Sequence, residues 1–148
     1  MADSIDERTV SLEGAQRVIA AALALARTRD LQVSVAVADR SGALKGFGRM
    51  DGASLLSGET ARRKAFTVAY VGISTQEFGT ILKSELESEP ELFHGMIGID
   101  GLVAFAGGVP LIVDGHRIGA VAVSGATSAA DQEIAQSAAR TLTEPAAR

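Results

Sequence analysis

Arg49-Met50-Asp51-Gly52 places a guanidinium and a carboxylate two residues apart, at the end of an apolar run and just before a helical pattern. A loop of this kind can present Arg49 to an anion while Asp51 orients it, with backbone N–H groups at the following helix start as further donors. The plainer reading makes Asp51 a turn residue and Arg49 its exposed partner. Lys64 follows, three residues after Ala61 and four before Val68, beside the packed stripe of that helix rather than opposite it. It can serve as an anion ligand or, with its pKa lowered by burial, as a base; alternatively its stem covers apolar surface while the ammonium reaches water. Gly107-Gly108-Val109-Pro110 permits a strained turn and fixes the entry to a strand. That corner either lines a pocket with free N–H groups or simply joins two strands.

Other chemistries are poorly supplied. There is no cysteine, which excludes disulfides, thiolate metal sites and cysteine nucleophiles. His94, in an expected loop, and His116, after the Asp114-Gly115 turn, are the only histidines; His94 is the candidate ligand for haem iron or a divalent metal. Gly46-Phe47-Gly48 lacks the third glycine of a phosphate loop, and Ser124 lacks the glycine-x-serine-x-glycine elbow. A net charge of −4, from 14 basic and 18 acidic residues, has the wrong sign for a general phosphate-backbone binder, so no nucleic acid partner is expected.

The elements that must position these residues read as follows. Ser11 caps a first helix to about Arg29. Val33, Val35 and Val37 alternate into a strand, and Asp39-Arg40-Ser41-Gly42 turns it into a second running to Met50. Gly46 and Gly48 in that second strand mark a bulge or a close approach to the backbone. Leu55 to about Val71 is helical, with Gly58, Ala61, Ala65 and Ala69 as a small-residue ridge. Ser74 and Glu77 form a capping box for a third helix that stops near Pro90. Leu102–Phe105, Pro110–Val113 and Arg117–Ser124 read as three strands, and Ser128 with Asp131 caps a last helix. The order α, β, β, α, α, β, β, β, α with hairpin connections implies an α+β fold, an antiparallel sheet of about five strands with helices on its faces. With 148 residues, 47% hydrophobic and 22% charged, one domain is expected over 1–148, with 1–8 and 144–148 frayed. No apolar segment reaches membrane-spanning length and the start lacks a secretory pattern, so a cytoplasmic protein without a membrane partner is expected.

Val35-Ala36-Val37-Ala38-Asp39-Arg40-Ser41-Gly42, Arg49-Met50-Asp51-Gly52-Ala53, Lys64-Ala65, Gly107-Gly108-Val109-Pro110 and Gly119–Gly125, in this order and spacing, resemble the GlcG/HbpS-like family. The resemblance spans nearly the whole chain. It implies a profilin-like α-β-α sandwich that assembles into homo-oligomers. Some relatives bind or degrade haem and others accompany glycolate or diol metabolism. By resemblance, Asp39, Arg49, Asp51, Lys64, Gly107, Gly108 and Pro110 are the ligand-binding positions. A small-molecule or cofactor-binding protein is expected, with haem the favoured cofactor and His94 its iron ligand. The alternative is a small isomerase or lyase that moves a proton on an oxygenated or carboxylated metabolite, with Asp51 or Lys64 as base. Both readings expect Arg49, Lys64 and the Gly107-Gly108 corner to meet at one concavity.

Overall fold

The computed structural model describes residues 2–142, so Met1 and the frayed end expected at 144–148 lie outside the described residues. Residues 2–8 are exposed and form no helix or strand. The elements are α1 (Leu12–Thr28), β1 (Ser34–Asp39), β2 (Leu44–Arg49), α2 (Leu55–Val71), α3 (Thr75–Ser88), α4 (Pro90–Ile97), β3 (Gly108–Val113), β4 (His116–Ser124) and α5 (Ser128–Arg140). The strands form one antiparallel sheet in the order β2-β1-β4-β3. No described helix is long and apolar enough to cross a membrane.

Strand alternation sorts side chains by size as well as by polarity. Val35 and Val37 of β1, with Val121 and Val123 of β4, join the apolar face of α1 and the buried Ile134 and Ala135 of α5 in the main core. On the opposite face Ala36, Ala38 and Ala122 meet Ala61 and Ala65 of α2, so two small-residue surfaces let the helix lie close to the sheet. The result is the α-β-α layering expected from the sequence. Burying each valine contributes about 1.5–3 kcal/mol, and the valine side of the central strands carries most of that weight. Gly46 of β2 belongs to the same logic: a Cβ there would come within 2.7 Å of Ile19 Cδ1, so the close approach belongs to α1 and not to a ligand.

Among the described residues four strands form, not about five. Leu102–Phe105 is not a strand, because the Val103 N–H donates to Thr67 Oγ1 of α2 at 2.9 Å instead of to a neighbouring strand. The continuous apolar run there covers α2 between two positive-φ glycines, Gly101 and Gly107. Pro90 does not simply close α3; it also opens α4 from its first turn, where a missing N–H costs nothing. His94 is therefore helical and not in a loop. Thr127, not Ser128, caps α5, its side chain accepting from the Ala130 N–H, which frees Asp131 for another role.

Among the described residues no further strand pairs with the outer edge of β2 or of β3. Val123 N donates to Gly107 O at 2.8 Å, which makes 107 and 123 a hydrogen-bonded pair. Pairing then alternates along β3, so Pro110, opposite Ala120, turns its backbone away from β4. Its missing N–H therefore falls on the open edge, where proline breaks no ladder.

Candidate functional site

The end of β2 folds back on the start of β1. Met50 N donates to Val33 O at 3.0 Å, Val33 N donates to the Met50 thioether at 3.4 Å, and Gly52 takes φ +84° to complete the turn. Arg49 Nη1 donates to Ala53 O at 2.6 Å, which fixes the guanidinium across the turn. A guanidinium has five N–H donors, so most remain for a ligand. The turn, the C-terminal end of α1 and the α1–β1 connection enclose a cavity of about 400 Å³. Its charged wall consists of Arg27, Asp30, Arg49 and Asp51. Leu23, Leu31 and Met50 supply apolar surface. Two guanidiniums beside apolar side chains can hold a carboxylate-bearing molecule by charge-assisted hydrogen bonds while its body rests on the leucines.

Lys64 lies elsewhere. Its position on the small-residue face of α2 drives the side chain inward, and the residue is 1% exposed. The ammonium donates to Val123 O at 3.0 Å and to Asp131 Oδ2 at 3.3 Å, with the Phe105 ring centroid at 4.9 Å. Asp131 Oδ1 accepts from the Ala126 N–H at 3.0 Å, so the pair ties α2, the end of β4 and the start of α5 together. Burial pushes Lys64 below its ordinary pKa and Asp131 above its own; their mutual attraction and the N–H groups on Asp131 oppose this. Gly107 closes the cluster, since a Cβ there would lie 2.5 Å from Lys64 Nζ and from Val123 O, and its φ is +127°. Gly108, also buried, donates its N–H to Thr75 Oγ1 at 3.0 Å.

The other expected positions separate. Asp39 sits at the β1–β2 turn, its Oδ1 accepting from Ser41 N, Ser41 Oγ and Ala43 N at 2.9, 2.8 and 3.0 Å. Partial burial acts against its charge, but these donors, with Lys45 nearby, outweigh it and hold the carboxyl below its ordinary value. Pro110 lines a second cavity of about 410 Å³ beside the free edge of β3. His94 is exposed on α4, its ring edge against Phe93, and His116 is exposed on the β3–β4 hairpin. Among the described residues no group of three or more His, Asp or Glu side chains is gathered as metal ligands would be. The structure thus unites Lys64 with Gly107 and Gly108, and Arg49 with Asp51, as two separate groups. The expected single concavity does not form within one chain.

Sequence reasoning missed Asp131 as the partner of Lys64, and Gln132, whose Oε1 accepts from the Gly107 N–H at 2.9 Å. The available signal was a lysine beside the alanine-rich face of a helix, which needs an anion if it is buried. Nothing local signalled which of the acidic residues would provide it.

The profile of the family described as "Haem degrading protein HbpS-like" matches residues 10–140. The chain is 33% identical over 115 residues to Protein GlcG of Escherichia coli K12, covering 78% of this chain and 81% of that protein. Among solved structures, Klebsiella pneumoniae protein ORFY superposes with a TM-score of 0.87 at 30% identity, covering 96% of both chains. The PduOC:haem complex gives 0.79 at 26% identity, covering 92% of this chain and 99% of that one.

Proposed function

The chain belongs to the haem-degrading HbpS-like family, and from that premise we propose that it binds a carboxylated small molecule in the cavity between Arg27 and Arg49, with haem the favoured ligand. The observation that carries this reading is the placement of two guanidiniums beside Leu23, Leu31 and Met50 on one cavity wall. Arg27 and Arg49 would meet the propionates, and the leucines would take one edge of the porphyrin. The haem complex formed by one structurally similar protein and the family description support haem over other carboxylates. Haem would bring redox and oxygen chemistry that this chain's side chains lack.

The fit to haem is partial. The wall offers partners for the carboxylates and an apolar surface, but no imidazole, and the Met50 sulfur already accepts the Val33 N–H. Were His94 to hold the iron, a second copy would have to bring α4 to the cavity. That arrangement has support in α4 itself, which buries none of its residues although it carries Leu92 and Ile97 at 42% and 54% exposure. A homo-oligomer that covers α4 is part of the proposal. Proton transfer by Lys64 finds no favouring observation, since its ammonium is enclosed and shared between Val123 O and Asp131.

Haem titration of the full chain is the direct test. A saturable Soret band is expected, weakened at least about tenfold by Arg27→Ala with Arg49→Ala. His94→Ala should change the band position with little loss of affinity. A featureless titration, with haem absorbance indistinguishable from haem in buffer, would remove haem as the ligand.

A further inference from the structure

The cavity between Arg27 and Arg49 presents charges of both signs that do not answer one another. Arg27, Asp30 and Asp51 line it, and among the described residues none of their side chains has a hydrogen-bond or ion-pair partner. The Arg49 guanidinium meets only the Ala53 carbonyl. Elsewhere the exposed arginines do pair: Arg29 holds Glu133 at 2.8 Å, and Arg62 and Arg63 share Glu59. Four charges on one wall are thus left to water or to a ligand that carries both signs itself.

Asp30 is the least expected of them. The helix α1 ends in a Schellman turn, in which Leu31 N donates to Ala26 O at 3.0 Å and Asp30 N to Arg27 O at 3.1 Å. Asp30 therefore takes φ +54°, a left-handed seat usually held by glycine. Its carboxylate also stands at the negative end of the helix dipole, where a cation is favoured. Neither the turn nor the helix asks for this side chain. The same arrangement suits a bound cation, because the helix end, Asp30 and Asp51 all favour positive charge in one cavity.

We propose that this cavity selects zwitterions, small molecules with a carboxylate and an ammonium on an apolar body, as in an aliphatic amino acid. The inference rests on the carboxylate reading of the site given above, and not on its choice of haem. The ligand carboxylate meets Arg27 and Arg49, its ammonium meets Asp30 and Asp51, and its aliphatic part lies on Leu23, Leu31 and Met50. A ligand that carries only carboxylates answers the two guanidiniums and faces two like charges. One that carries both groups answers all four.

NMR titration of the full chain with L-leucine, isocaproate and isoamylamine tests the proposal, since the three share one aliphatic body and the last two each lack one charge. Saturable shifts are expected at the Met50 methyl group and the Gln32 side-chain amide, both on the wall. L-leucine should bind at least about tenfold tighter than either analogue. Asp30→Asn with Asp51→Asn removes both negative charges while asparagine still accepts the left-handed seat, so leucine should lose its advantage over isocaproate. Equal affinity for leucine and isocaproate, or an advantage kept by the double variant, would overturn the zwitterion and leave the carboxylate site standing. Equal affinity for leucine and isoamylamine would overturn both. Absence of saturable shifts with all three probes would overturn the zwitterion, and the haem titration would then report on the carboxylate site separately. Should the double variant fail to fold, the three affinities of the wild type decide the matter.

Discussion

Lys64 Nζ and Asp131 Oδ2 lie 3.3 Å apart in a site where both side chains are almost fully enclosed, although 67 residues of chain separate them. The pair joins the small-residue helix to the start of the last one, across the end of β4. An isolated charge would be expensive at either position, and each partner makes the other tolerable.

Removing one partner should therefore cost more than removing both. Lys64→Met leaves Asp131 buried without its cation, and a loss of about 3–5 kcal/mol is expected in urea unfolding. Lys64→Met with Asp131→Leu should recover a clear part of that loss. A double variant as unstable as the sum of the single ones would show that the two groups are not coupled.

Glycine is required at 107 and merely convenient at 48. Gly107→Ala places a methyl against Lys64 Nζ and the Val123 carbonyl at a φ of +127°, whereas Gly48→Ala meets Leu23 at an ordinary 3.5 Å. Gly107→Ala should cost about 1–3 kcal/mol or more, and Gly48→Ala under about 1 kcal/mol. Thermal melts of the two variants side by side would reveal whether that order holds.

The turn carboxylate gives a pH signature. Asp39 is held below its ordinary value of 3.8 in the folded chain, so near and below that pH the unfolded chain binds more protons and stability rises with pH. The contribution is present above about 3.8 and lost as the pH falls through the folded value. Asp39→Asn keeps the shape without the charge. Its melting temperature should lie below wild type at pH 6 and draw closer to it as the pH falls below 3.8; a constant offset would contradict the assignment.

Self-association should depend on α4. Leu92→Lys with Ile97→Lys changes two exposed apolar side chains on a helix that buries none of its own residues. Light scattering after size exclusion should report a smaller assembly than wild type, with the circular dichroism of the fold preserved. An unchanged mass would place the interface elsewhere.

Much of the architecture was legible because it is written in local periodicity. The alternating valines of β1, the ridge of Gly58, Ala61 and Ala65, and the Ser74 cap all act over a few residues, and each stands where expected. Leu102–Phe105 misled for the same reason. Its apolar residues carry the pattern of a strand, but the choice between another strand and the Thr67 hydroxyl is made by neighbours distant in the chain. Pro90 was ambiguous because proline ends one helix and begins another by the same lack of an N–H. Arg49 and Asp51 were found together because only Met50 separates them and one turn holds both.

The sequence by itself determined most of the elements, an antiparallel sheet with helices on its faces, and the absence of thiol chemistry in a chain without cysteine. Tertiary structure alone decided that Lys64 answers Asp131, that Gln132 answers Gly107, and that Arg49 belongs to a different cavity from either. The physical reason is the sheet order β2-β1-β4-β3, which separates the two edges and gathers the ends of distant elements behind β4. Side-chain type states what partner a buried group needs; strand order chooses which one it meets.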